Sequence, residues 1–544
     1  MTPRSRFPRA ALLSASLLAG LLTVPFLGAA AQADDNAPAR PAGSAYSDPS
    51  LIAPDLIDPA LGVTAGDPTG DPTGDPTEQA KQALATVQQI IDPTVQTVTA
   101  DGTSADLSVA LANLATKQDD LPKNLQDDAA RLLARPNKND PPGGIECDAA
   151  GNDKNGLPCY GAATEAPSVC DSGICVHYVA SGPNAAGGSY AATVLDVMKS
   201  VASRYVAAGY RKPLPDRTVG KSSGGVGNGD NVFDVYLADL GKRGLYGYCT
   251  TDTPVAGHGT APAYCVLDNN YTEQVFNAHT PVENLEVTAA HEFFHAVQFA
   301  YDVGEEAWLM EGTATWAEDE LYTNINDNRQ FLSSGPLGRP AQSLTAPAGV
   351  YGSWIFFRYL SERFPTQYGG MPVIIKELWD RAAGNPGART ALNRLLAVRG
   401  TELRKQFGWF STWDRRPAAY YSEGSAYRAA PLWRKFRLTN TRRSASARTD
   451  INSLASRTVR FTSGATRGRL RVSIDLYSRA SGGFATVTIK EKGKLPVARA
   501  IALNAAGDKR PTFAFGRKVA WIEITLANSG TRKRAAKISA QVVR

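Results

Sequence analysis

Val287-Thr288-Ala289-Ala290-His291-Glu292-Phe293-Phe294-His295-Ala296-Val297-Gln298-Phe299-Ala300-Tyr301-Asp302 is the stretch that decides how this chain reads. At 100° per residue, Leu285, Ala289, Phe293, Ala296, Val297 and Ala300 fall on one stripe of a helix. Thr288, His291, Glu292, His295, Gln298 and Asp302 fall on the opposite one. The spacing predicts an amphipathic helix over Val282–Tyr301 with its polar face turned to a cleft. The chain has only 5 His, so two of them four residues apart around a Glu are not a product of composition. Residues four apart stack on one helix face, so two imidazoles can meet one zinc ion at about 2.0–2.1 Å each. Glu292 then reaches the water that the ion acidifies toward a pKa of about 7 and serves as its general base.

A catalytic zinc takes a third protein ligand and keeps one position open. A third His at the spacing H-E-x-x-H-x-x-G-x-x-H is excluded, because position 298 is Gln and position 301 is Tyr. The candidate is a carboxylate. Trp308-Leu309-Met310-Glu311-Gly312-Thr313-Ala314-Thr315-Trp316-Ala317-Glu318 opens a second helix that carries Glu311 and, two turns on and on the same face, Glu318. A short loop between the helices brings Glu311 to the His pair as third ligand, and Glu318 is the candidate to hydrogen-bond a ligand imidazole from behind.

HEFFH followed by WLMEGTATWAED resembles the gluzincin metallopeptidases, and the run from VFDVYLADLG to YGSWIFFRYLSERF is similar to a bacterial group of secreted metalloproteases. The resemblance covers roughly residues 178–364. It implies a zincin-like domain, a small sheet plus active-site helices, with His291, His295 and Glu311 as metal ligands and Glu292 as base. It also implies an edge strand before the active-site helix that binds peptide by strand addition, for which Tyr264–Leu267 is the candidate. A downstream Tyr or His often stabilises the oxyanion in this family; Tyr351 is the candidate, against a plain packed aromatic. The gap between His295 and Glu311 is a few residues shorter than in the aminopeptidase-like members.

Other motifs carry less. His177, His258 and His279 lack ligand spacing and read as core or surface residues. Val219-Gly220-Lys221-Ser222 is not a P-loop, since Pro215 stands where that motif requires Gly. Asp268-Asn269-Asn270 and Asn324-Ile325-Asn326-Asp327 suit ordinary turns, with Ca²⁺ binding as the weaker alternative.

Around this centre the chain divides into four. Residues 1–33 read as a cleavable secretory signal: Arg4, Arg6 and Arg9 precede an apolar run that ends in Ala31-Gln32-Ala33. No later stretch approaches the roughly 18 apolar residues of a spanning helix, so a secreted, extracellular protein with no membrane segment is expected. Residues 34–145 form an acidic Pro/Asp/Thr-rich pro-region or linker with tandem GDPT units from Gly66 to Thr77, and with stretches 78–91 and 104–135 suited to short helices. Residues 146–427 hold the metallopeptidase domain, strands first and helices afterwards, an α+β arrangement. Residues 428–544 read as a β-sandwich accessory domain, from short alternating runs such as Leu470–Leu476, Phe484–Ile489, Ala514–Ile524 and Lys537–Val543.

Export makes Cys147, Cys159, Cys170, Cys175, Cys249 and Cys265 disulfide candidates rather than thiol ligands. Short loops close most easily, which favours pairing in sequence order, 147 with 159, 170 with 175 and 249 with 265. From Tyr427 to Arg544, 26 Lys and Arg stand against 5 Asp and Glu. Such a tail suits anionic cell-surface polymers; physiological nucleic acid is not expected of an exported protein. The expected function is a secreted zinc metalloendopeptidase acting on protein or peptide. Its rivals are a non-catalytic wall- or surface-binding protein on the same scaffold and a zinc hydrolase of non-peptide amides or esters.

Overall fold

The computed structural model describes residues 74–92, 107–137 and 146–543, apart from 162, 164, 215–231, 254, 256 and 465–467. The signal segment, the first two GDPT units and the P-loop look-alike at 219–222 lie outside the described residues. Among the described residues no helix is long and apolar enough to cross a membrane.

Three helices come first: α1 (Pro76–Ile91), α2 (Leu107–Ala115) and α3 (Lys123–Leu132). The third GDPT unit starts α1 for a physical reason. Asp75 accepts from the Thr77 amide at 3.0 Å, and Pro76 takes the first helical position, where its missing N–H costs nothing. A mixed sheet follows, built from β1 (Val169–Asp171), β2 (Ile174–His177), β3 (Phe233–Ala238), β4 (Gly247–Thr250) and β5 (Tyr264–Asp268), with α4 (Gly188–Ala207) between β2 and β3. The strand order is β1-β2-β3-β5-β4, parallel across β2, β3 and β5 and antiparallel at both edges.

Side chains alternate along these strands between two cores. Val235, Leu237, Cys265 and Leu267 face a large cluster built with α4 and the later helices. Tyr236, Ala238, Tyr264 and Val266 face a second cluster whose other half is Ala80, Leu84, Val87, Leu111, Leu114 and Leu132 of α1–α3. The stretches 78–91 and 104–135 expected as short helices thus form α1–α3, and they are packed into a core rather than lying in an open linker. Past Glu78, Leu, Val, Ile and Ala recur at helical spacing, and the helices bury that stripe against an apolar sheet face that would otherwise meet water.

The remaining helices are α5 (Pro281–Phe299), α6 (Ala307–Leu321), α7 (Trp354–Arg363), α8 (Val373–Ala382), α9 (Ala388–Val398), α10 (Leu403–Trp413) and the single turn α11 (Pro417–Tyr420), with a two-stranded ribbon of β6 (Gln367–Tyr368) and β7 (Met371–Pro372) before α8. α5 begins at a capping box: the Glu283 amide donates to Thr280 Oγ1 at 3.3 Å, and the Thr280 amide donates to Glu283 Oε2 at 2.9 Å.

The C-terminal region is a β-sandwich with its own core. One sheet contains β8 (Arg434–Leu438), β10 (Ala455–Ser463), β12 (Gly483–Glu491), β13 (Val497–Ala500) and β16 (Val519–Asn528), in the order β13-β12-β16-β10-β8. The other contains β9 (Ser444–Ile451), β11 (Gly468–Asp475), β14 (Asp508–Lys509), β15 (Thr512–Phe515) and β17 (Arg534–Val543). The single run expected over Ala514–Ile524 is two strands in different sheets, β15 and β16, because Gly516-Arg517-Lys518 turns the chain between them. The sandwich packs on α10 through β12 and β16. There a Cβ at Gly408 would sit 2.0 Å from Phe484, and Thr412 and Thr486 share a hydrogen bond of 2.8 Å.

Candidate metal centre

α5 supplies His291, Glu292 and His295, and α6 returns beside it with Glu311 and Glu318. On the other side of α6, Gly312, next to Glu311, lets α7 pack closely: a Cβ there would lie 2.5 Å from Phe357 of α7. His291 Nε2 stands 3.3 Å from Glu311 Oε2, and His295 Nε2 stands 3.7 Å from Glu311 Oε1. One donor atom from each of the three lies within 4.8 Å of the others, and they are the one such group of three among the described residues. All three are buried; His295 and Glu311 are 0% exposed.

Both imidazoles are oriented from behind. His291 Nδ1 is 2.6 Å from Glu318 Oε1, the role the sequence assigns to that glutamate. His295 Nδ1 is 2.8 Å from Gln298 Oε1, whose amide group donates in turn to Met310 O at 2.9 Å and Thr313 Oγ1 at 3.1 Å. Because the Gln298 NH₂ is spent on those acceptors, its oxygen faces the ring and Nδ1 must carry the proton. Nε2 of each ring is thereby the nitrogen turned toward Glu311. Sequence reasoning used Gln298 only to exclude a third histidine. Its place three residues past His295 on the buried polar stripe was the available signal for this bracing role.

The electrostatics are those of charge held out of water. Burial alone would push the His291 pKa down, but the carboxylates of Glu311 and Glu318 outweigh it and hold it well above the usual imidazole value. Burial pushes Glu318 up to about 7, with His291 opposing. In the loop joining the two helices, burial raises Glu305 to about 8.

Glu292, 4% exposed, accepts from Ser108 Oγ of α2 at 3.0 Å, and a Cβ on Gly247 of β4 would come 3.0 Å from its Cγ. The cleft expected along the polar face of α5 is not open: α6 packs along α5, Ser108 of α2 meets Glu292, and α5 is buried from Val287 to Phe299. The Tyr351 ring stands 5.9 Å from the His291 ring and stacks on Phe331 at 4.8 Å, so the oxyanion candidate lies beside the cluster and is also a packed aromatic.

The edge-strand expectation is overturned. Tyr264–Leu267 belongs to β5, which pairs with β3 on one side and β4 on the other. The free edge nearest Glu292 is β4. All five residues of β5 are buried, as an interior strand between two helical layers requires.

The cysteines pair in the order favoured by loop length: Cys147–Cys159, Cys170–Cys175 and Cys249–Cys265. The last bridge clamps β4 to β5 beside the main chain of Glu292. His177 is a core residue held between Glu165 and Asp234, while His258 and His279 pair with Asp302 and Asp327. Of the Ca²⁺ candidates, Asp268 gives both carboxylate oxygens to backbone amides, Oδ1 to Asn270 and Tyr271 and Oδ2 to Leu240 and Gly241, the work of a turn residue. Asn326 sits in the left-handed region (φ 64°), and Asp327 accepts from Gln330.

No known family model matches the chain, and no curated protein matches it. Among solved structures, the chain is similar to the pre-peptidase C-terminal domain of collagenase from Bacillus anthracis, at 11% identity and a TM-score of 0.16, over 20% of this chain and 97% of that one. It is also similar to a mutant of PliG from Escherichia coli, a periplasmic lysozyme inhibitor of g-type lysozyme, at 13% identity and a TM-score of 0.14, over 20% of this chain and 96% of that one. At these scores neither likeness bears on what this chain does.

Proposed function

We propose that the chain is an exported zinc metallopeptidase of the gluzincin type. The observation that carries the reading is the convergence of His291, His295 and Glu311 within 4.8 Å, buried and braced, with Glu292 adjoining on the same helix. The donor set fits the ion, since two neutral imidazoles and one carboxylate leave a fourth position for water or substrate in a tetrahedral site. Bound there, zinc would polarise a substrate carbonyl and acidify water.

The protein's own groups do the rest. Glu292 takes a proton from the attacking water and returns it to the leaving amine nitrogen, so one carboxylate is base and then acid. Glu318 and Gln298 keep both imidazoles in the tautomer that offers Nε2. Tyr351, beside His291, is the candidate donor to the developing oxyanion. The intact base favours hydrolysis over a binding-only scaffold, which has no use for a buried carboxylate at that position.

For the sandwich we propose an anionic polymer as partner. Supporting this is an open groove of about 580 Å³ between the edge strands β8 and β9, lined by Arg434, Lys435, Arg437, Arg442 and Arg448 around Trp433. The three disulfides and the apparent leader accord with an extracellular protein. The function is tested by metal analysis of the secreted protein together with its digestion of an unlabelled protein mixture. About one zinc per chain is expected, and whatever cleavage the protein shows should be abolished by chelation. A zinc-free chain, or cleavage that survives chelation, would refute the reading.

A further inference from the structure

Ser108 lies 184 residues from Glu292 in sequence and is 1% exposed. Its hydroxyl donates to Glu292 Oε2 at 3.0 Å and accepts from the Cys249 amide of β4 at 3.0 Å. One hydroxyl thus takes two positions that a reacting peptide needs. It sits against the base, where an attacking water must be held, and it takes an N–H on the free edge of β4 that an added strand would use. Ala112, one turn further along α2, is buried in the same cluster as Phe293 and Ala296 of α5. Leu107, Leu111 and Leu114 join the cluster on the far side of the sheet. α2 is therefore wedged between two cores, touching β4 and α6.

The wedge is anchored. Arg135, which follows α3, is 3% exposed; its Nε pairs with Asp252 Oδ2 at 2.7 Å, and its Nη1 pairs with Asp234, the residue that also holds His177. α1–α3 cover Tyr236, Tyr248, Tyr264 and Val266 of the sheet. An occupant fixed through so broad a surface is present at high effective concentration, so a free substrate competes poorly with it.

We propose that α2 is an inhibitory plug: with residues 107–115 docked the metallopeptidase is latent, and activity requires α2 to leave β4 and Glu292. The proposal rests on the metallopeptidase reading. Its test uses the full chain, zinc-loaded, as wild type and as Ala112→Arg, which forces a charge into the buried contact. The probe is acetohydroxamate, a small bidentate zinc ligand, and its affinity is measured by calorimetry. Amide exchange of Gly247–Thr250 is followed in parallel.

The wild-type chain should hold zinc, bind the hydroxamate at least tenfold more weakly than Ala112→Arg, and protect the Cys249 amide. The variant should lose that protection while the circular dichroism of the sheet and later helices is kept. Should Ala112→Arg not fold, Ser108→Asp, which sets a second carboxylate against Glu292, replaces it with the same expected order. Equal hydroxamate affinity in both zinc-loaded chains, or tight binding to the wild type, overturns the plug while leaving the metallopeptidase reading intact. A wild-type chain that takes up no zinc overturns both.

Discussion

On α5 and α6, His291, Glu292, His295, Glu311 and Glu318 are all at least nine-tenths buried, and each has a neighbour of definite geometry. On the sandwich, Arg434, Lys435, Arg437, Arg442 and Arg448 stand exposed around a groove. The first arrangement is costly to desolvate and survives only if every charge meets a counter-charge or a ligand, so it carries information about chemistry. The second is cheap in water, and it constrains what approaches rather than what is built. Glu523 is where the two regimes meet. It is 1% exposed at the join between the sandwich and α10, and despite burial the guanidiniums of Arg416, Arg415 and Arg460 hold its pKa below the usual carboxylate range.

The largest effect should come from within the buried group. Glu311→Ala is expected to abolish most zinc occupancy and with it hydrolysis, whereas Glu318→Ala should cost only about 10- to 100-fold in metal affinity or rate, as changes behind a ligand do. Metal content and titration against a chelator read both; equal losses would make Glu318 a ligand. At the join, Glu523→Ala strands three guanidiniums and should cost about 3 to 5 kcal/mol, read as a lower denaturant midpoint. A loss below about 1 kcal/mol would mean that these charges are effectively solvated and that the contrast fails there.

The next test uses pH. Burial lowers the pKa of His177, but Asp234 and Glu165 outweigh it and raise it from 6.5 to about 9. A folded-state value above the unfolded one stabilises the protein fully below pH 6.5, and the benefit fades as pH rises through about 9. Up to roughly 3 kcal/mol should be lost across that window. His177→Gln should flatten the decline in Tm over the same range; an unchanged profile would contradict the assignment.

The smallest effect per residue belongs to the exposed charges. Replacing Arg434, Arg437 and Arg448 by Ser should lower the salt at which the chain elutes from an anionic polymer column and leave Tm within about 1 °C, since surface substitutions of this kind cost little. Retention that ignores either the substitutions or the salt would show that the groove is not the binding face.

The same contrast explains what the sequence disclosed. The helix pair was legible because ligand spacing on a helix is a local code: His291 and His295 one turn apart, and Glu311 and Glu318 two turns apart. The disulfide pairing was legible because closure cost rises with loop length, which favours neighbouring cysteines. Strand position was not. Burial of Tyr264-Cys265-Val266-Leu267 marks a strand covered on both faces, but its neighbours are set by chain reversals far away, and the edge fell to Gly247–Thr250. Nor was the Ser108 contact legible, because no periodicity links α2 to a residue 184 positions on. The acidic front concealed a packed layer because its Pro-rich opening dominates the composition, whereas the apolar stripe of α1–α3 gains its partner only when the sheet is present.

The central claim is that ligand and base are separate roles within one turn of α5. The direct measurement compares Glu292→Gln with its parent, both zinc-loaded and both carrying Ala112→Arg so that the cleft is open, for zinc content and for hydrolysis of a denatured protein mixture. The account predicts equal zinc, about one per chain, and hydrolysis lower by several orders of magnitude in the Gln chain. Undiminished turnover, or loss of zinc along with activity, would contradict it.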